Sequence, residues 1–452
     1  GRYTSQQAFP GTWRRNNRGE PDLNIRLKKR GAPYGVKVPE RKYSEKSPIE
    51  PAPHPEKAIL PLQQNIGAPA TTLVKKGEKV LTGQKVAESD KFVSAPVHAT
   101  ISGEIAGTTK VVNPPTGQLV EALVINADGE DNWMELEKPS DPGSLSAKEL
   151  LDRIREAGIV GLGGATFPSQ VKLSPPQDKK IETVILNGCE CEPYVTSDHR
   201  VMLEYGKEVL RGLDIIRKIL SPRETYIAIE DNKEDAIASI ERLISSLGLE
   251  NDLMVAPLKS KYPMGAEKTL IKMILNREVP IGGLPMDVGA LVNNVGTAYA
   301  TYEAVKFNRP LIERVLTVTG EGVITPKNLL ALVGTPLKDL FDLCGLKENA
   351  NKIILGGPMM GLAQYTTDLV VIKGTSGVLV LEGEPVGTHG PCIRCGRCVD
   401  ACPMQLVPSK LSILLESRNV DGAQANNLLD CIECGACTYV CPAKRPIVQF
   451  IK

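Results

Sequence analysis

Eight of the chain's eleven cysteines sit in two near-copies of one short run, CIRCGRCVDACP at 392–403 and CIECGACTYVCP at 431–442. Both copies read C-x2-C-x2-C-x3-C-P. Three thiolates at that spacing wrap three corners of an iron–sulfur cubane, and the fourth, ahead of proline, reaches the neighbouring cluster where two are present. The spacing therefore expects Cys392, Cys395, Cys398 and Cys441 around one [4Fe-4S] cluster. Cys431, Cys434, Cys437 and Cys402 are expected around the other. Zinc also takes four thiolates, usually from two C-x2-4-C pairs across a spacer, and fits the doubled run poorly. The intervening PSKLSILLESRNVDGAQANNLL reads as helical, with Pro408 in the opening turn. Residues 383–452 are thus expected as a C-terminal helical two-cluster ferredoxin domain.

The remaining cysteines, Cys189, Cys191 and Cys344, are expected as ordinary buried or partly buried thiols, because "CEC" is too short to chelate one metal. Cysteines clustered as ligands point to a reducing, intracellular compartment. Lys+Arg 54 against Asp+Glu 53 gives a net charge of +1, so the balance carries no sign of a nucleic-acid binder. No apolar run approaches the ~18 residues of a membrane helix, and the Arg-rich start lacks a secretory signal's apolar core. At 452 residues the chain calls for two to four domains.

Periodicity divides the rest. Residues 1–50 are rich in Arg, Lys, Pro and Gly without sustained periodicity and are expected as an extended arm over a neighbour. Residues 51–136 alternate short β-prone runs with turns at Gly77, Gly83 and Gly103. That unit resembles the barrel-sandwich hybrid of biotinyl and lipoyl domains. Lys91 is expected as a solvated turn lysine, since Pro96 follows too soon for a lipoyl hairpin. Residues 137–310 alternate amphipathic helices with apolar strands, the pattern of an α/β domain with a largely parallel sheet. Residues 311–382 read as a compact mixed α+β module. The fold class is multidomain α/β.

GIVGLGGATFP, 158–168, follows a helix and carries Gly161, Gly163 and Gly164, which let backbone N–H groups approach a phosphate without Cβ obstruction. It is followed by Lys172, LNGCECEP at 186–193, YPMGAEKTLI at 262–271 and LVNNVGTAYA at 291–300. In that order the runs resemble the flavin subunit of respiratory complex I and related diaphorases. With the β unit in front and twin clusters last, about 30–450 resembles the RnfC family of the Rnf electron-transport complex. The 311–382 module then corresponds to an SLBB domain.

The resemblance implies FMN held noncovalently with NAD(H) stacked above it. It places Gly161, Gly163, Gly164 and Phe167 in the phosphate loop and Lys172 beside the flavin. Asn187, Glu190 and Glu192 would line the strand end, Tyr262, Gly265 and Glu267 the opposite wall, and Asn293 and Asn294 would bond the FMN phosphate or ribityl chain. Departures are Thr166 for glycine, Cys189 for Asp, and Ala266 and Lys268 for Glu and Thr. No catalytic acid or base is implied, because flavin itself mediates between hydride and one-electron carriers. The implied setting is a peripheral position at the cytoplasmic face of the cell membrane. There the chain works with membrane subunits in ferredoxin:NAD+ oxidoreduction coupled to Na+ or H+ translocation, reaching ferredoxin through partner subunits. The competing readings are a soluble diaphorase such as a cobalamin reductase and a noncatalytic electron relay.

Overall fold

The computed structural model describes residues 34–114, 116–383 and 387–452. The expected arm therefore lies outside the described residues as far as residue 33.

Around the central sheet the element order follows the period changes of the sequence. Its four parallel strands run Met254–Leu258, Glu224–Glu230, Thr183–Gly188, Ala290–Asn294 across the sheet. Near-continuous burial along Thr183–Gly188 and Glu224–Glu230 matches strands covered on both faces. The covering helices are α1 (Ala147–Glu156), α2 (Ser169–Lys172), α3 (Ser197–Glu204), α4 (Gly206–Leu220), α5 (Glu234–Leu247), α6 (Glu267–Leu275) and α7 (Val295–Phe307). A capping box of Ser146 and Glu149 starts α1. Helices α4 and α7 cross at Gly212, where a Cβ would lie 1.8 Å from the Ala298 carbonyl oxygen. Only glycine permits that approach.

The order places the first strand, Thr183–Gly188, between Glu224–Glu230 and the last strand, Ala290–Asn294. Strand order reverses there, and ligands of open α/β sheets sit beyond the carboxyl ends of strands at such a point.

Ahead of this domain, Lys57–Pro61, Leu119–Ala127, Gly103–Val112 and Lys79–Val80 form one antiparallel sheet, and Thr71–Thr72, Lys85–Glu88 and Val97–His98 a second. Their shared core includes Leu60, Val86, Ile105 and Ile125. Lys91 lies exposed in a bend. Behind the central domain, a six-stranded sheet packs on α8 (Leu337–Cys344) through Leu316, Leu329, Leu340 and Phe341. Its edge strand is Ile49–Pro51, supplied by the arm and paired parallel with Lys327–Leu332.

The three units meet around Lys373, whose ammonium donates to the carbonyls of Pro96 and Gly158, both at 2.8 Å. Burial lowers its pKa from 10.5 to about 7. Between those values the unfolded chain binds more protons than the folded one, so this lysine makes stability rise with pH from about 7 toward 10.5. Lys373→Met is expected to flatten that rise. Melts of both proteins at neutral and alkaline pH check it, and an unaltered pH difference would mean the lysine folds charged.

The C-terminal unit contains α9 (Arg397–Ala401), α10 (Pro408–Glu416), α11 (Val420–Gln424), α12 (Ala436–Tyr439) and α13 (Ile447–Ile451). Its halves repeat in backbone geometry. Positive φ recurs at Arg394 and Glu433, at Gly396 and Gly435, and at Gln405 and Lys444. The two cysteine runs therefore turn in the same way.

Candidate functional site

The glycine loop closes on itself and leaves its tip open. Gly161 N–H donates to Phe167 O at 2.9 Å, and Thr166 N–H returns to Gly161 O at 3.1 Å. Thr297 Oγ1 takes the Leu162 N–H at 2.9 Å, pinning the loop to α7. Gly163, Gly164 and Ala165 are exposed, and their N–H groups have no partner among the described residues. A Cβ on Gly164 would meet nothing within 4 Å, so the space above the loop is free. Three adjacent free donors beside open space suit a phosphate. Thr166 adopts φ +50° where the resembled family has glycine, a conformation costly for a β-branched residue.

Around the strand ends the named residues close a ring. Asn294 packs beside Gly163 and is paired in register with Asn187. Asn187 Nδ2 donates to Gly265 O at 2.9 Å, and its Oδ1 accepts the Cys189 N–H at 3.0 Å. Lys172 on α2 reaches Glu267 on α6 at 2.9 Å, closing the circle. Asn293 is buried on the same strand end. The ring lies at the topological switch point, where open α/β sheets take their ligands.

Several side chains expected to face a ligand are engaged with the protein instead. Asn294 Oδ1 caps α7 through Gly296 N–H and Thr297 N–H, while its Nδ2 donates to Asp198 at 2.6 Å. Burial, with Glu190 nearby, pushes the Asp198 carboxyl up. Glu190 accepts from Asp198 N–H at 2.8 Å and His199 N–H at 3.3 Å, holding the start of α3. Glu192 accepts from Met359 and Met360 N–H at 3.1 and 2.8 Å. Burial raises the Glu192 pKa to about 7.

Sequence reasoning missed Lys42. Its ammonium donates to the carbonyls of Glu190, Glu192 and Val195 at 2.9, 2.8 and 2.6 Å, so the arm holds the acidic loop in place. Nothing in the local pattern around Lys42 signals this. The arm also lines a polar cavity of about 510 Å³ with Lys37, Glu40 and Lys42, facing Glu190, Glu230 and Tyr262.

Tyr262 is 2% exposed and donates its phenol proton to Cys434 O at 2.6 Å. The central domain thus touches the cysteine unit directly. Val36 pairs with Tyr262 through both backbone groups, and Gly35 N–H reaches Ala401 O at 3.1 Å. The arm staples the two units together.

The eight cysteines divide between two cavities. Cys392, Cys395, Cys398 and Cys441 line one, and Cys402, Cys431, Cys434 and Cys437 the other. Each set draws three members from one run and one from the other. No three metal-ligating side chains are gathered closely enough for a single ion among the described residues, whereas both cavities are ringed by sulfur, as a multi-iron cluster needs. Cys189 and Cys344 are buried and Cys191 partly so.

Four family models match in the order of these units. They are described as the RnfC barrel sandwich hybrid domain over 31–130, the Nuo51 FMN-binding domain over 154–303, the SLBB domain over 315–363 and a 4Fe-4S dicluster domain over 385–442. A curated relative, the C-subunit of the proton-translocating ferredoxin:NAD(+) oxidoreductase complex of Clostridium ljungdahlii, is 50% identical over 417 residues. The match covers 91% of this chain and 90% of that protein. The chain belongs to the RnfC family. The C-subunit of the Na(+)-translocating ferredoxin:NAD(+) oxidoreductase complex of Acetobacterium woodii is 44% identical, covering 92% of the RnfC chain and 95% of the relative. In fold alone the chain is also similar to the NAD+-reducing [NiFe]-hydrogenase in its H2-reduced state. That likeness has a TM-score of 0.51 and 16% identity, over 69% of this chain and 63% of that one. The RnfC chain therefore carries an FMN-binding domain and a 4Fe-4S dicluster domain. No helix among the described residues is long and apolar enough to cross a membrane.

Proposed function

We propose that this RnfC chain exchanges electrons between NAD(H), FMN and two [4Fe-4S] clusters. It would act as a peripheral subunit of a membrane complex that couples ferredoxin:NAD+ oxidoreduction to Na+ or H+ translocation. The observation that carries the reading is the hydrogen bond from Tyr262, on the wall of the central domain, to the carbonyl of Cys434, which lines a cysteine-ringed cavity. Electron exchange needs such proximity.

FMN, when bound, links two-electron hydride exchange to the one-electron steps that clusters accept. The protein's part is placement. Free N–H groups at Gly163, Gly164 and Ala165 would hold the phosphate, and Lys172 would bring positive charge to the ring. Asn187 and Asn294 act by fixing the strand ends, each with both side-chain atoms bonded to the protein. Glu190 and Glu192 likewise fix α3 and the 359–360 turn, and only the Glu190 residue also borders the polar cavity. Cys392, Cys395, Cys398 and Cys441 would ligate one cluster and Cys402, Cys431, Cys434 and Cys437 the other. Membrane partners, the cytoplasmic face and ferredoxin contact through other subunits belong to the same proposal.

Anaerobic titration of the purified chain with NADH tests it. Bleaching of flavin absorbance followed by EPR signals of reduced clusters is the expected result. Clusters without flavin or any NADH response would leave a bare electron relay.

A further inference from the structure

The internal repeat of the cysteine unit permits a position-by-position comparison of its two halves. Positive φ matches at the three paired positions, so the two runs turn alike, while in the second set Glu433 N–H also donates to Cys431 Sγ at 3.4 Å.

The side chains differ at three equivalent places. Arg394 in the first run corresponds to Glu433 in the second, Arg397 to Ala436, and Arg445 after the second Cys-Pro to Leu406 after the first. Arg445 lines the cavity of Cys392, Cys395, Cys398 and Cys441, and Leu406 lines the other. The first cavity also has Ser409 and Ser412 on its wall, while the second is walled by Met404, Leu411, Ile432, Val448 and Ile451. The first wall carries Arg394, Arg445 and two serines beside Ile393, Pro442, Ala443 and Ile447, and the second carries neither arginine nor serine.

Arg445 is unusual on its own account. It is 3% exposed, its Nη2 donates to Glu416 at 2.6 Å, and its guanidinium lies over the Phe450 ring at 5.5 Å. Its buried Nε–H has no partner among the described residues. A buried guanidinium donor left unpaired is costly, and a cluster sulfur in the cavity that Arg445 lines would satisfy it.

Exposure runs the same way. In the first set Cys395 is exposed, Cys392 and Cys441 are partly so and Cys398 is buried, and the adjoining Ile393 is 64% exposed. In the second set Cys402, Cys434 and Cys437 are buried and Cys431 is partly exposed, and Cys434 packs in one hydrophobic cluster with Tyr262 and Val36. Cluster potential rises with hydrogen bonds to sulfur, nearby positive charge and solvent exposure.

Resting on the electron-transfer reading above, we propose that the two clusters are unequal. The site of Cys402, Cys431, Cys434 and Cys437 is the inner cluster beside the flavin domain. The site of Cys392, Cys395, Cys398 and Cys441 is the outer cluster, held at higher potential by Arg445 and Arg394. Electrons leaving the central domain then run downhill toward the surface. Tyr262 is a positioning residue for the inner cluster through the Cys434 peptide.

The test is an EPR redox titration of the purified chain with dithionite and mediators, which needs neither bound flavin nor NADH. Wild type is expected to show two separable one-electron transitions. Arg445→Leu, which installs the residue the repeat carries at its other half, is expected to move the higher-potential transition down. The shift expected is a tenfold change in oxidised-to-reduced ratio or more, ~59 mV for one electron. Arg394→Glu, at an exposed position, copies Glu433 and is expected to shift the same transition downward even if the buried variant fails to fold. Tyr262→Phe is expected to shift the lower-potential transition alone. Coincident potentials in wild type would overturn the proposal. So would an arginine variant that leaves both clusters in place and shifts the lower transition or neither, or a Tyr262→Phe effect on the higher one. Missing flavin or NADH response, by contrast, would overturn only the reading on which it rests.

Discussion

Replacing Gly164 with valine is expected to yield a folded RnfC chain that has lost its FMN. Gly164 adopts φ +111°, which L side chains rarely take, and a Cβ there would meet no protein atom within 4 Å. The substitution therefore injures the site without a clash in the core. Its direct strain is ~1–2 kcal/mol, small against the stability of a chain this size. The functional effect is larger, because the loop turns to relieve strain and the free N–H groups at 163–165 cease to converge, while a branched side chain enters the space above them. Hydrogen bonds to charged groups contribute ~1.5–3 kcal/mol each. Loss of two would weaken FMN binding by roughly two to four orders of magnitude, at ~1.4 kcal/mol per tenfold. Flavin fluorescence after denaturation, counted against iron content, measures the outcome. Full flavin with full iron would remove the phosphate from this loop.

How far the sequence alone reached depends on the distance over which each feature is encoded. The division of the eight cysteines between two cavities, three from one run and one from the other, was legible because cluster ligation fixes spacing over a dozen residues. The parallel sheet was legible from period changes, since both-face burial leaves continuous apolar runs such as TVILNG. The roles of Glu190, Glu192, Asn187 and Asn294 were not. Their motif order indicated a ligand pocket, whereas their side chains are largely used in capping α3 and α7 and in tying the Gly265 and 359–360 turns to the sheet. A carboxylate that caps a helix and one that faces a ligand look identical in sequence. The arm was legible only as an absence of periodicity. Its attachment is polar and distant: Ser44, Thr196, Thr317 and Asn328 form one buried hydrogen-bond cluster, and Arg41 reaches Tyr194, which in turn donates to Glu321. Such contacts carry no local period.

That mode of attachment predicts where the arm is most vulnerable. Lys42→Met is expected to cause the largest stability loss of any single arm substitution. Methionine reproduces the length of lysine and none of its donors, so three carbonyls on the 190–195 segment lose their shared ammonium. Each such bond to a charged donor contributes ~1.5–3 kcal/mol, and relief from burying the charge offsets part of it. Burial already pulls the Lys42 pKa below its ordinary value, with Glu190 opposing, so the offset is real. A net loss of ~2–4 kcal/mol remains. The consequence should spread, because the same segment carries the Glu190 cap of α3, the Glu192 hold on 359–360 and the Tyr194 bond to Glu321. Hydrogen exchange is expected to quicken at 190–200 and at 359–361 together, with a lower denaturation midpoint. Faster exchange confined to 34–44 would mean that the segment is self-supporting and the ammonium dispensable. Coupled loss would make the arm the element that sets the Tyr262 loop against the cysteine unit, and so the geometry on which electron exchange between them depends.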